Sequence, residues 1–192
     1  MSDAAPALAS YAFTPRPHGR EIRFMLREDA LEVDDQRRVT RIPLAEIEEA
    51  RLTFEPRGSA MRGFRAKFVS RGRRSTSFTN LSWRSLIQVD HQNEAYRAFL
   101  AALLPAIGRA NPNCRFAAGR PAPIWALFVI ASGVMLLGVG YAAAMAAPRI
   151  GTLAGVVTIG FALAFAWLAI EMVGRNRPRL FAPDAPPRNV LP

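Results

Sequence analysis

The sequence predicts an α+β chain: a small antiparallel β-barrel or sandwich capped by one C-terminal helix, followed by an α-helical hairpin of membrane-spanning length. Three observations predict it. Apolar and polar residues alternate over much of residues 21–89, as in strands with one buried face. Apolar residues then recur at helical spacing from Tyr96 to Ile107. Finally, residues 121–148 and 150–170 contain no Asp, Glu, Lys or Arg.

The alternation starts at Glu21. Ile22, Phe24 and Leu26 make one face, and Leu31 and Val33 continue it after a turn at Glu28-Asp29-Ala30. Val39 with Ile42, then Leu52 with Phe54, mark two further strands. Phe64, Ala66 and Phe68 oppose Arg65 and Lys67, and Thr76, Phe78 and Asn80 form the next inward face. A last strand is expected near Leu86–Val89, giving six or seven antiparallel strands. The helix follows, with Tyr96, Phe99, Leu100, Leu103, Leu104 and Ile107 on one stripe, Asp90 or Asn93 as its cap, and Pro105 kinking or ending it. Residues 1–19 read as a flexible N-terminal tail, 20–110 as the domain and 111–121 as a linker. Met1–Arg20 has neither a basic start nor an apolar run, so no cleavable signal peptide is expected.

Residues 122–147 and 150–173 read as two transmembrane helices, each long enough for a hydrocarbon core of about 30 Å. The connection Ala147-Pro148-Arg149 forces an antiparallel pair. Arg109, Arg115 and Arg120 precede the first helix and Arg175, Arg177 and Arg179 follow the second, against Arg149 alone in the turn. The excess of positive charge puts both termini, including a tail at 174–192, in the cytoplasm. Trp125, Tyr141 and Trp167 lie toward the helix ends, where amphipathic rings prefer to sit. Glu171 reads as an interfacial group near Arg175. Small residues line one face of each helix. On the first these are Ala126, Gly133, Gly140, Ala144 and Ala147; on the second, Gly151, Gly155, Thr158, Ala162, Ala166 and Ala169. Gly133, Gly140, Gly151, Gly155, Ala162 and Ala166 are the expected helix-packing residues, within the hairpin or between copies of the chain.

Charge is unevenly spread. Up to Arg120 there are 20 basic and 13 acidic residues, a balance of +7. Such an excess points to anionic lipid, an acidic protein partner or nucleic acid. No recognised nucleic-acid motif accompanies it, and none is expected to bind. All basic residues but Lys67 are Arg, a bias that a GC-rich coding sequence also produces. Cys114 is the lone cysteine, so no intramolecular disulfide can form. His18 and His91 are far apart and lack a metal-ligand pattern. No nucleophile elbow, phosphate loop or dinucleotide fingerprint occurs. No catalytic residue, metal or cofactor is therefore predicted.

The succession Phe24-x-Leu26-x-Glu28-Asp29-x-Leu31-x-Val33 and then Arg41-Ile42-Pro43-Leu44-x-Glu46-Ile47, ahead of a single amphipathic helix, resembles bacterial pleckstrin-homology-like domains carried beside one or two membrane helices. The resemblance covers about residues 20–108. It implies a non-enzymatic adaptor or lipid-facing module in the bacterial cytoplasmic membrane. Lipid-binding members carry basic residues between their first two strands, a place that Glu28-Asp29 occupies in this reading.

The sharpest candidate site is the stretch Pro56–Val89, which has eight basic residues and no acidic one. Arg71-Gly72-Arg73-Arg74 reads as a hairpin turn. Arg62, Arg65, Lys67, Arg71, Arg73 and Arg74 are the expected contacts for anionic lipid or a protein partner, or else a merely solvated strand face. The alternative function is an auxiliary subunit of a membrane enzyme or transporter, docking through the small-residue helix faces.

Overall fold

The computed structural model describes residues 7–56, 61–72, 74–146 and 152–192, and excludes the side chains of 143, 145, 146 and 152–155. The chain divides into two units, one formed by the residues up to Gly119 with Arg179–Pro192, the other by Arg120–Pro178.

The first unit is α+β. Strands β1 (Ala9–Phe13), β2 (Ile22–Leu26), β3 (Ala30–Asp34) and β4 (Val39–Pro43) form an antiparallel meander in that order. Strands β5 (Ile47–Phe54), β6 (Phe64–Ser70) and β7 (Arg74–Thr79) form the antiparallel heart of a second sheet. A short ribbon, β8 (Leu81–Trp83) with β9 (Val89–His91), leads into helix α1 (Asn93–Ala110). The inner faces meet through aromatic rings. Phe24 of β2 lies 5.0 Å from Phe78 of β7, and Tyr96 and Phe99 of α1 lie 5.5 and 5.4 Å from the same Phe78. The alternation predicted for β2 and β5–β7 is present, with Phe24, Leu26, Leu52, Phe54, Phe68 and Phe78 buried; in β3 the adjacent Ala30 and Leu31 are both buried and Val33 is half-buried.

Several expectations need correction. No sheet closes on itself among the described residues, so of the expected barrel or sandwich the closed barrel is not seen. The tail expected at 1–19 contains β1, whose Tyr11 and Phe13 are buried and pair in register with Phe24 and Ile22. Its five residues sit between prolines, too short a run for alternation to stand out. The linker expected at 111–121 contains β10 (Arg115–Ala118), which lies parallel to β5. The tail expected after 174 returns as β11 (Arg179–Leu180), antiparallel to β10, and ends with Val190 fully buried. Pro105 does not end α1, and Leu86 precedes β9 instead of lying in it. No side chain caps α1. Asn93 Oδ1 instead accepts a 2.7 Å bond from Asn80 Nδ2, and Asp90 accepts one from Arg84.

The second unit is a pair of helices, α2 (Ala122–Ala146) and α3 (Thr152–Arg175). Arg120 N donates to Asn176 O at 3.0 Å and Trp125 Nε1 to Val173 O at 2.9 Å, so the start of α2 meets the end of α3 and the two run antiparallel. The connecting residues 147–151 lie outside those described. On α3, Thr158, Ala162, Phe165 and Ala166 are half-buried and Ala169 is buried; on α2 Trp125, Phe128, Val129, Ser132, Leu136 and Val139 are half-buried. The expected small stripe of α2 faces away: Ala126, Gly133, Gly140 and Ala144 are exposed, and a Cβ added at Gly133 or Gly140 meets nothing within 4 Å. Gly151 lies outside the described residues, as do the surroundings of Gly155.

Two local constraints shape the first unit. Gly63 has no alternative: a Cβ there would sit 2.3 Å from Glu55 O, where β6 approaches the end of β5. Asn80 is fully buried; its Oδ1 accepts from Phe64 N at 2.7 Å, and its Nδ2 donates to Arg62 O and Asn93 Oδ1. Asn80→Ala strands these groups away from water and should cost about 2–4 kcal/mol in denaturant unfolding. Burial also pushes the phenols of Tyr11 and Tyr96 well above their ordinary value of 10.0. Folded values above unfolded ones mean that this stabilisation is complete below about pH 10 and is lost as pH rises past it. Alkaline titration followed by phenolate absorbance should show these two tyrosines ionising together with unfolding, while a smooth titration in the folded state would contradict their burial.

Candidate functional site

Helix α1 covers one side of the core, packing its buried stripe against β1 and the short 3-10 turn Leu44–Glu46. Between β3–β4 and the β6–β7 hairpin lies a cleft of about 660 Å³. Leu31, Val33, Ile42, Ile47 and Phe68 give it an apolar floor, and Arg38, Arg41, Arg71 and Arg74 stand at its rim with Asp35 and Glu46.

Turn chemistry places the rim. Between β3 and β4, Asp34 Oδ1 accepts from Gln36 N at 2.8 Å and Asp35 Oδ1 accepts from the backbone N–H groups of Arg37 and Arg38 at 2.9 Å each. Gln36 takes a left-handed conformation, φ 62°. Those N–H groups favour the ionised carboxylate and hold the Asp35 carboxyl below its usual range. Between β6 and β7, Ser70 pairs with Arg74 across the turn, Gly72 supplies φ 80°, and Arg71 N donates to Glu46 O at 2.9 Å. Strand alternation then puts Arg74 on the same face as Thr76 and the core ring Phe78.

The structure divides the expected basic site. Arg71 and Arg74 reach the cleft rim. Arg65 and Lys67 alternate with the buried Phe64, Ala66 and Phe68 and therefore lie on the opposite face of β6. Arg62 precedes β6 and is exposed. Arg73 lies outside the described residues, as does Arg57. Nor does the acid-free stretch remain unpaired. Arg65 meets Glu55 at 3.0 Å, Arg71 meets Glu48 at 3.9 Å, and Arg84 meets Asp90. Arg41 Nη2 donates to both Asp29 carboxylate oxygens at 2.8 Å, and Arg38 stands 4.0 Å from Asp35. Arg74 has no carboxylate partner among the described residues. Exposed pairs of this kind are worth about 0–1 kcal/mol. An incoming anion can therefore exchange with them, and Arg74 is available without exchange. Arg38 and Arg41 were not among the expected contacts. The turn Asp34-Asp35-Gln36-Arg37-Arg38 is legible, but its approach to Arg71 and Arg74 is a tertiary event.

Among the described residues, no three of His, Cys, Asp and Glu stand close enough together to share a metal ion. Cys114 is buried, and burial pushes its thiol up to about 11. At neutral pH it is a thiol with little thiolate. Maleimide should alkylate it slowly in the folded chain and at least about tenfold faster in denaturant; equal rates would mean that β10 does not shield it.

Comparison of the chain with protein-family models, with curated proteins and with solved structures gives no match.

Proposed function

We propose that this chain is a non-enzymatic interaction module, anchored by α2 and α3 in a bacterial cytoplasmic membrane with both termini on the cytoplasmic side. Its pleckstrin-homology-like domain contacts a protein partner or anionic lipid headgroups. The observation that carries the reading is the exposure of the two apolar helices. Each is long and apolar enough to cross a membrane, yet Leu137 is 77% and Phe161 75% exposed. A core helix of a soluble protein would bury such residues, and an exposed apolar surface of this extent needs a partner. With 25 and 24 residues, either helix covers about 36 Å or more.

The positive charges at Arg120, Arg175, Arg177 and Arg179 support the cytoplasmic placement. The antiparallel meander, the second antiparallel sheet and the single following helix support the pleckstrin-homology-like reading, although β10 and β11 are additions to it. With β1 counted, Glu28-Asp29 lies between the second and third strands. The loop between the first two is Thr14–Glu21, which carries Arg16, His18 and Arg20. The objection to lipid contact drawn from an acidic first turn therefore falls.

Two measurements test the reading. The full chain should stay in the membrane pellet through alkaline carbonate extraction; its release would end the transmembrane reading. Because Ala118 pairs with Arg179, a two-residue turn can replace residues 119–178 and give a soluble domain. That domain should sediment with vesicles containing anionic phospholipid but not with neutral ones, and less so as salt rises. Arg71→Glu with Arg74→Glu should weaken binding at least about tenfold, at roughly 1 kcal/mol per basic group. Salt-insensitive binding, or none to either vesicle, removes the lipid contact and leaves the protein partner.

A second reading, an auxiliary subunit of a membrane complex, is favoured by the outward position of Gly133 and Gly140. In-membrane cross-linking should then give a discrete heteromeric product that Gly133→Leu with Gly140→Leu abolishes.

A further inference from the structure

The ribbon β8–β9 ends in a tip of unusual composition. Ser85-Leu86-Ile87-Gln88 forms the turn, with Arg84 N and Ser85 N both donating to Gln88 O, at 3.0 and 3.3 Å, and Gln88 N donating to Ser85 Oγ at 3.2 Å. The central positions of such turns ordinarily go to Gly, Asn, Asp or Pro. Here they hold Leu86, 66% exposed, and Ile87, 91% exposed. Exposed large apolar residues elsewhere in the first unit, Leu8, Val39 and Leu180, stand singly; these two are adjacent.

The tip is held rigidly. Arg84 pairs with Asp90 across the ribbon, and Trp83 pairs with Val89. The base is tied to the core: Thr14 N donates to Ser82 Oγ and Trp83 N to Thr14 O, both at 3.0 Å, and Leu81 is buried. A preorganised tip loses little freedom on burial. We infer that Leu86 and Ile87 insert into the headgroup–acyl boundary of the bilayer, as a second membrane contact made by the folded domain itself.

The bilayer is the occupant the residues favour. Two side chains are far too small a patch for a stable protein interface, which needs roughly 800 Å² from each partner. They suffice for a contact that the chain's own anchor makes intramolecular. Three residues separate β10 from α2 and three separate α3 from β11, so the tether has little slack. Trp83 and Arg84 beside the tip are residue types that suit the lipid–water interface. The inference rests on the proposed transmembrane reading of α2 and α3.

The test uses the full chain with Cys114→Ala and Ile87→Cys, labelled at residue 87 with an environment-sensitive fluorophore and reconstituted in phosphatidylcholine liposomes. The expected result is blue-shifted emission, quenched by lipid-borne nitroxide and shielded from aqueous iodide. Adding Leu86→Asp should return the label to water. A label that iodide quenches freely, in liposomes that retain the chain through carbonate extraction, overturns the insertion alone. Insensitivity to Leu86→Asp also overturns it, since the fluorophore would then be the inserting group. Loss of the chain on carbonate extraction overturns both the transmembrane reading and this one.

Discussion

The backbone pairing of β10 with β11 is the constraint on which the rest of the molecule depends. Ala117 and Ala118 pair with Leu180 and Arg179, so the chain leaves for the helices and returns from them on neighbouring strands of one sheet. β10 in turn lies parallel to β5, whose Ala50, Leu52 and Phe54 are core residues. Within the helical unit, Arg120 N bonds Asn176 O, so the start of one helix is fixed against the end of the other. A parallel neighbour such as β10 needs a crossover connection, which α1 supplies. The return strand is then held by Phe116 against Phe181, at 5.9 Å, and by the burial of Val190. A chain tied at both ends of its apolar excursion must make that excursion as an antiparallel pair. In the proposed topology this leaves a single side of the membrane for both termini.

What was legible in the sequence follows the strength of each periodic signal. Long alternating runs such as Phe64–Phe68 and the α1 stripe from Tyr96 to Ile107 carry their own evidence, because burial repeats with the period of the element. The two apolar helices are legible for a different reason, the length of their uninterrupted apolar runs. β10 and β11 are not, since four and two residues give too few repeats to register, and the five-residue β1 lies in a proline-rich stretch, apart from the other alternating runs. Missing β1 also shifted the hairpin count by one and put Glu28-Asp29 in the wrong loop. The helix faces were legible by half. Ala162, Ala166 and Ala169 are half-buried or buried, whereas Gly133 and Gly140 are exposed. A small-residue stripe marks where a helix can approach closely, and only the partner's side chains decide whether it does.

The candidate site shows the same limit for charge. Over Pro56–Val89 the sequence has no acidic residue, and a linear reading leaves every arginine there unpaired. Folding brings Glu48, Glu55 and Asp90 to Arg71, Arg65 and Arg84. The acidic partners Glu55 and Asp90 directly flank the stretch, whereas Glu48, which meets Arg71, lies in β5 and is brought there by folding. The charge that remains to act outward is therefore smaller than the sequence count and more localised, with Arg74 at the rim of the cleft. Its cleft is also not purely polar.

The open cleft has a structural cause in how the core is closed. Tyr11, Phe78, Tyr96 and Phe99 gather beneath α1, with ring centroids 5.3–6.1 Å apart between Tyr11 and its three neighbours. This cluster seals the core where the helix covers it. No second helix follows to cover the cleft, because the chain leaves instead through β10 for the apolar pair. Leu31 and Phe68 are still buried, but Val33, Thr40 and Ile42 keep partial exposure at the mouth. Their solvation is tolerable because each contributes one short side chain and because arginine stems can lie over apolar surface with their heads in water.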